Sequence, residues 1–286
     1  MKKLTSQIVS DVVRPRPDDS FKGTFGKVTL VGGNENFGGA IIMATMAAVY
    51  SGAGLVTTCT APLNAGPLHS QVPEAMFADM HDDHKVAQLV SAATTVVVGP
   101  GLGDNEQSTH TLHVVFDNIS DQQTVVIDGS AITIMARDHL SLPAGKVVFT
   151  PHQMEWQRLS GIKIADQEPK VNQAKVKELG ATVVLKSHRT EIYDGNNIYQ
   201  LPIGTPAQAV GGMGDTLAGM VGGFTAQFHD QGVKAVLAAV YAHSDVAEQI
   251  AARQYIVLPH QISRSLPAYM KRMSSIDRQH QIGFNN

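Results

Sequence analysis

The sequence predicts a layered α/β fold built on a mainly parallel central sheet with one small antiparallel hairpin. Three observations carry this expectation. Short β-branched runs recur along the chain, helix-length segments separate them, and glycine-rich or polar loops follow them. Runs that are apolar throughout suit strands buried on both faces of a parallel sheet. Their alternation with helices implies right-handed crossovers between layers.

Taken in order, strands are expected at Lys27–Val31, 55–59, Thr95–Val98, Thr124–Ile127, 147–149 and Thr182–Leu185. Helices are expected over 39–51, 83–92, 107–118 and 168–179. Glu191–Tyr193 and 198–201, joined by Asp194-Gly195-Asn196-Asn197, read as the hairpin. From about Gly214 the chain turns helical, over 217–228, 233–253 and 262–270. With no Pro/Ser linker, repeat or low-complexity stretch, residues 1–286 read as one domain, with 1–21 as a lead-in and 271–286 as a flexible tail.

Composition narrows the function. The 286 residues are 43% hydrophobic and 16% charged, which suits a compact enzyme core, and a net charge of −3 leaves no footprint for nucleic acid. The single cysteine, Cys59, ends the apolar run 55–59 and reads as a buried, inert thiol in a reducing, cytoplasmic setting. The basic start lacks the apolar core of a signal peptide, and the longest apolar tract, 40–56, is too interrupted to span a bilayer, so no membrane partner is expected.

The most informative run is Gly211-Gly212-Met213-Gly214-Asp215-Thr216. Glycines let successive N–H groups converge, and a helix starting there adds its free donors and positive dipole end. The result is an anion site with a carboxylate at its edge, which phosphoryl transfer to a hydroxyl requires. Read as structure alone, the same run is a loop-to-helix turn with Asp215 as a cap. Further loops follow the expected strands: Gly32 to Ala40, Gly99-Pro100-Gly101-Leu102-Gly103, Thr150-Pro151-His152-Gln153-Met154-Glu155 and Lys186-Ser187-His188-Arg189-Thr190. Ligands in open α/β sheets sit beyond the carboxyl ends of strands, so these loops point to one shared cleft.

In this order, from about Lys22 to Met270, the segments resemble the ribokinase-like superfamily, and within it the ADP/ATP-dependent NAD(P)H-hydrate dehydratases. The resemblance rests on Lys22-Gly23-Thr24-Phe25-Gly26-Lys27, Val98-Gly99-Pro100-Gly101-Leu102-Gly103, Thr150-Pro151-His152, Leu185-Lys186 with Thr190, and the Gly211–Asp215 run. It implies a three-layer α/β/α fold and repair of hydrated NADH or NADPH at the expense of a nucleotide, with bacterial relatives resembling ADP users that act on the S epimer. It further implies that Ala40, Gly103, His152 and Asp215 contact the hydrated cofactor, while Lys186, Ser187, His188, Arg189, Thr190 and Gly214 hold ADP or ATP. Asp215 is the implied catalytic base, kept ionised by the helix N-terminus. Glu155 stands where many ribokinase-like enzymes keep an acidic residue that organises water-bound Mg²⁺, an ion that needs few protein carboxylates. A homo-oligomer, tetrameric in relatives, and a separate epimerase complete the implied setting.

Two departures fall in the expected cleft. Ser130 stands where relatives carry an acidic residue, and Gly204-Thr205-Pro206-Ala207-Gln208-Ala209-Val210 replaces a Gly-Asn-Pro-Gly-Met-Ala-Thr pattern. A kinase for a vitamin-precursor alcohol, hydroxyethylthiazole-like or pyridoxine-like, shares most of these motifs. A nucleotide-binding regulator that kept the fold without catalysis is a third reading, against which intact Asp215 and Lys186 argue.

Overall fold

The structure, a computed structural model, describes residues 1–275. Residues 276–286, most of the expected tail, lie outside the described residues. The strands are β1 (Lys2–Lys3), β2 (Lys27–Val31), β3 (Leu55–Thr60), β4 (Met76–Asp79), β5 (Thr95–Val98), β6 (Thr124–Ile127), β7 (Lys146–Phe149), β8 (Thr182–Leu185), β9 (Glu191–Tyr193) and β10 (Ile198–Gln200). They form one sheet in the order β1-β10-β9-β8-β7-β6-β5-β2-β3-β4. From β4 across to β8 every pairing is parallel, whereas β9 runs antiparallel to both β8 and β10. The expected parallel sheet with one antiparallel hairpin is therefore the observed one.

The helices are α1 (Gln7–Val12), α2 (Gly38–Tyr50), α3 (Ala65–Gln71), α4 (Asp83–Ser91), α5 (Glu106–Asp117), α6 (Ser130–Asp138), α7 (Gln153–Ser160), α8 (Pro169–Leu179), α9 (Met213–Gln227), α10 (Val233–Ala251) and α11 (Pro259–Met273). Side chains alternate across the strands, and the alternation sorts the helices into two layers. Val97 faces a core shared with α1, α2, α9, α10 and α11. Its neighbours Val96 and Val98 face the other core, with α4, α5, α6, α7 and α8. The lead-in is structured, since β1 pairs with β10 and Val9 and Val12 of α1 are fully buried. Likewise the last described helix runs three residues into the span expected as tail. Cys59 is buried as expected, and burial pushes its thiol up to about 12.

The strand order reverses between β2 and β5, and there the loops beyond the strands meet. Gly33 and Asn34 donate their N–H groups to the carbonyls of Pro100 and Gly101 at 2.9 and 2.8 Å. On the opposite layer α9 crosses α2 closely enough that a Cβ on Gly219 would stand 2.0 Å from the Ala44 carbonyl oxygen. This crossing fixes α9, and with it the glycine run that leads into it. Gly219→Ala is therefore expected to destabilise the fold by about 1–3 kcal/mol through overpacking. Gly66→Ala, where nothing lies within 4 Å, is expected to leave the melting temperature equal or higher. Thermal denaturation of the two variants checks this.

Candidate active site

The residues singled out in the sequence gather at the carboxyl ends of β2, β5, β7 and β8 and at the start of α9. Gly212 is the N-cap of α9 at φ +91°, a left-handed conformation that glycine adopts without strain. Asp215 lies in the first turn, and Thr216 donates its N–H to the Gly212 carbonyl at 3.0 Å. Lys186 follows β8 directly, its backbone N–H donating to the Pro151 carbonyl at 2.8 Å, which carries the β7–β8 pairing one step further. Its ammonium lies against the α9 turn, since a Cβ on Gly214 would be 3.0 Å from Lys186 Nζ. A cation beside the positive end of a helix is a repulsive pairing that an anion between them relieves.

What holds the lysine in place was not singled out from the sequence. Lys186 Nζ donates to Asp128 Oδ1 at 2.9 Å, and Thr150 Oγ1 donates to the same oxygen at 2.7 Å. Asp128 directly follows β6, is 3% exposed, and lies two residues before Ser130. Burial works against the Lys186 ammonium, but the carboxylates of Asp128, Glu155 and Asp215 outweigh it and hold the group above the usual lysine range. Asp215 responds oppositely. Burial first, then the Asp128 charge, push its carboxyl up to about 6, against the pull of Lys186. The helix N-terminus thus does not keep this carboxyl in the ordinary range. A base near 6 remains ionised at neutral pH and accepts a proton more readily than an ordinary carboxylate.

His152 and Glu155 build the start of α7 together. His152 Nδ1 accepts the N–H groups of Met154 and Glu155 at 3.1 and 3.2 Å, and Glu155 Oε2 accepts the His152 N–H at 2.7 Å. Both are therefore capping residues whatever else they do. Because Nδ1 accepts, the ring proton sits on Nε2, which stands 3.5 Å from Glu155 Oε1 on a half-exposed side chain. Glu155 keeps that second oxygen for another partner.

Ala40 and Gly103 lie on the rim formed by the β2 and β5 loops. A Cβ on Gly101 would approach Ala40 Cβ to 3.0 Å, and one on Gly103 would approach Asn34 Nδ2 to 2.5 Å. The Gly103 N–H donates to Ser130 Oγ at 3.1 Å. The segment 128–130 thus ties the two halves together, Asp128 gripping Lys186 and Ser130 gripping the Gly103 loop. Lys186, Ser187, His188, Arg189, Thr190 and Gly214 all line one cavity of about 530 Å³. Its lining also includes the apolar Leu201, Ile203, Leu217 and Val240. A cavity that combines charged and apolar walls suits a nucleotide.

A family described as NAD(P)H-hydrate dehydratase matches residues 28–268. The chain belongs to this family. An ADP-dependent (S)-NAD(P)H-hydrate dehydratase of Lactiplantibacillus plantarum is 51% identical over 97% of the chain and all of that protein. A ribokinase-like structure from Enterococcus faecalis superposes with a TM-score of 0.93 at 44% identity, covering 96% of each chain. The ADP/ATP-dependent NAD(P)H-hydrate dehydratase of Bacillus subtilis, crystallised with ATP and Mg²⁺, superposes at 0.85 with 28% identity, over 95% of this chain and 98% of its own. A hydroxyethylthiazole kinase from Pyrococcus horikoshii, at 16% identity and 0.61, shares the fold alone.

The raised carboxyl of Asp215 has a consequence for stability. Between 3.8 and about 6 the folded protein binds a proton here that the unfolded chain has lost, so the ionised group weakens the fold above that window. Asp215→Asn is expected to raise stability at pH 8 by on the order of 2–3 kcal/mol, the gain shrinking as pH falls through the window. If Asp215 acted only as a cap, the variant would show no gain at any pH. Denaturant titrations at pH 8 and pH 5 separate the two.

Proposed function

We propose that the chain dehydrates the S epimer of hydrated NADH or NADPH, using ADP and releasing AMP and phosphate. The observation that carries this reading is the placement of Asp215, with its raised carboxyl, in the first turn of α9 and within reach of the Lys186 charge, next to the cavity that Lys186 and Gly214 line. Asp215 takes the proton of the ring hydroxyl as that oxygen attacks the terminal phosphorus of the nucleotide. Backbone N–H groups over Gly212 to Gly214, with the Lys186 ammonium, stabilise charge on the transferred group. The phosphorylated oxygen then leaves as phosphate, pushed by the lone pair of the ring nitrogen, and loss of the neighbouring proton restores the dihydronicotinamide. Ala40, Gly103 and His152 are assigned to the hydrated cofactor, and Lys186, Ser187, His188, Arg189, Thr190 and Gly214 to the nucleotide.

The residues fit magnesium of a particular kind. Among the described residues no three acidic, His or Cys side chains converge to hold a metal directly. Asp128, Glu155 and Asp215 instead act on the Lys186 ammonium, so an ion bound here would keep most of its waters and be held together with the nucleotide phosphates. Glu155 Oε1 would hold it through water, and the ion would neutralise phosphate charge when bound. No helix among the described residues is long and apolar enough to cross a membrane. The proposed setting is the cytoplasm, with a homo-oligomeric enzyme and a separate epimerase supplying the S form.

Incubation with hydrated NADPH, Mg²⁺ and ADP tests the reading. Dihydronicotinamide absorbance should return with one phosphate and one AMP per cofactor. A stable phosphoester on a thiazole or pyridine alcohol, with hydrated cofactor untouched, would instead make this a kinase. Lys186→Ala should weaken ADP roughly tenfold to a hundredfold, the worth of a charge-assisted contact, and the hydrated cofactor less. Calorimetric titration of the variant with each ligand measures the difference.

A further inference from the structure

The unusual segment 204–210 lies in the wall of the nucleotide cavity, where Gly204, Thr205, Pro206, Gln208 and Ala209 form its lining. Its backbone is held at both ends. The Gly204 N–H donates to Glu248 Oε1 at 2.8 Å, and the Ala207 carbonyl accepts the Val257 N–H at 2.9 Å. Between them Thr205 caps a short 3₁₀ turn, Pro206–Gln208, which fixes where the Gln208 side chain begins.

The orientation of the Gln208 amide follows from its neighbours. A backbone N–H can only donate, and that of Thr205 faces Gln208 Oε1 at 3.5 Å, so this atom is the amide oxygen. The other end, the amide nitrogen, then donates to His243 Nδ1 at 3.4 Å. His243 must therefore be neutral and carry its proton on Nε2. Burial agrees, since it drives the imidazole down to about 4. Nε2 itself is buried without a hydrogen-bond partner, beside the backbone of Met213.

Both contacts of the amide are long, and each of its atoms keeps spare capacity. The oxygen can accept a second hydrogen bond and the nitrogen can donate one. With phosphates held at Lys186 and the start of α9, the same cavity offers a base its apolar side chains and this amide. Its fixed acceptor–donor order matches an exocyclic amino group beside an unprotonated ring nitrogen, the pattern of adenine.

We infer that Gln208 reads the base of the nucleotide and selects adenine, with His243 as the positioning residue that fixes the amide. The inference rests on the proposed nucleotide site but not on the dehydration chemistry. Inosine diphosphate is the probe, because it replaces the amino group by an oxygen and protonates N1 while ribose and phosphates stay the same.

Calorimetric titration of the protein alone should show ADP binding at least about tenfold tighter than IDP, the worth of one well-placed base contact pair. In Gln208→Leu, ADP should weaken to within about twofold of IDP, with IDP nearly unchanged. His243→Leu should lower the same ratio, which separates loss of amide orientation from loss of phosphate binding or of fold. Equal affinities in the unsubstituted protein, or a ratio kept intact in Gln208→Leu, would overturn the inference. Turnover of hydrated NADPH that is indifferent to the base would leave the proposed function standing. Base selection without turnover would do the reverse.

Discussion

The site depends on the position of one ammonium group. Lys186 Nζ is held 2.9 Å from Asp128 Oδ1 while facing the positive end of α9. Bringing a lysine to a helix N-terminus is unfavourable by itself, and the surrounding carboxylates make it tolerable. The same carboxylates disfavour ionisation of Asp215. One cluster therefore raises both the Lys186 ammonium and the Asp215 carboxyl, burial contributing most to the second.

The scaffold makes this arrangement rigid. Lys186 and Asp128 come directly after β8 and β6, and His152 three residues after β7, so parallel pairing sets their spacing. Asp215 comes from the far layer, and its place depends on α9 lying close against α2 through small residues such as Gly219. Several polar groups at the center are paired with one another. Asp128 accepts from both Lys186 and Thr150, and Glu155 from the backbone of His152. A preorganised polar site of this kind stabilises developing charge without reorganisation at the moment of reaction.

Most of the sheet was legible in the sequence because its inner strands are apolar on both faces. The edge elements were not. β4 is a short outer strand with a half-exposed face, and β1 has only two residues. Among site residues, Asp215 and Lys186 announced themselves through glycine spacing and position after a strand. Asp128 did not, because its importance lies in a contact spanning 58 positions of sequence. A carboxylate ending an apolar strand, beside other strand ends already suspected, was the available signal. Glu155 shows the opposite limit. The resemblance assigns it to water-bound Mg²⁺, yet three residues after His152 is also the place of a capping-box acid, and only the hydrogen bonds reveal that the box is formed. The unpaired nitrogen of His243 had no sequence signature at all.

The central claim is that Asp128 and burial together poise Asp215 as the base. The pH dependence of kcat/KM tests it most directly. The account predicts an acid limb near pH 6 for the unsubstituted enzyme, and a shift of that limb to lower pH in Asp128→Asn, where a repelling charge is gone. An acid limb near 3.8, or one that Asp128→Asn leaves in place, would contradict it.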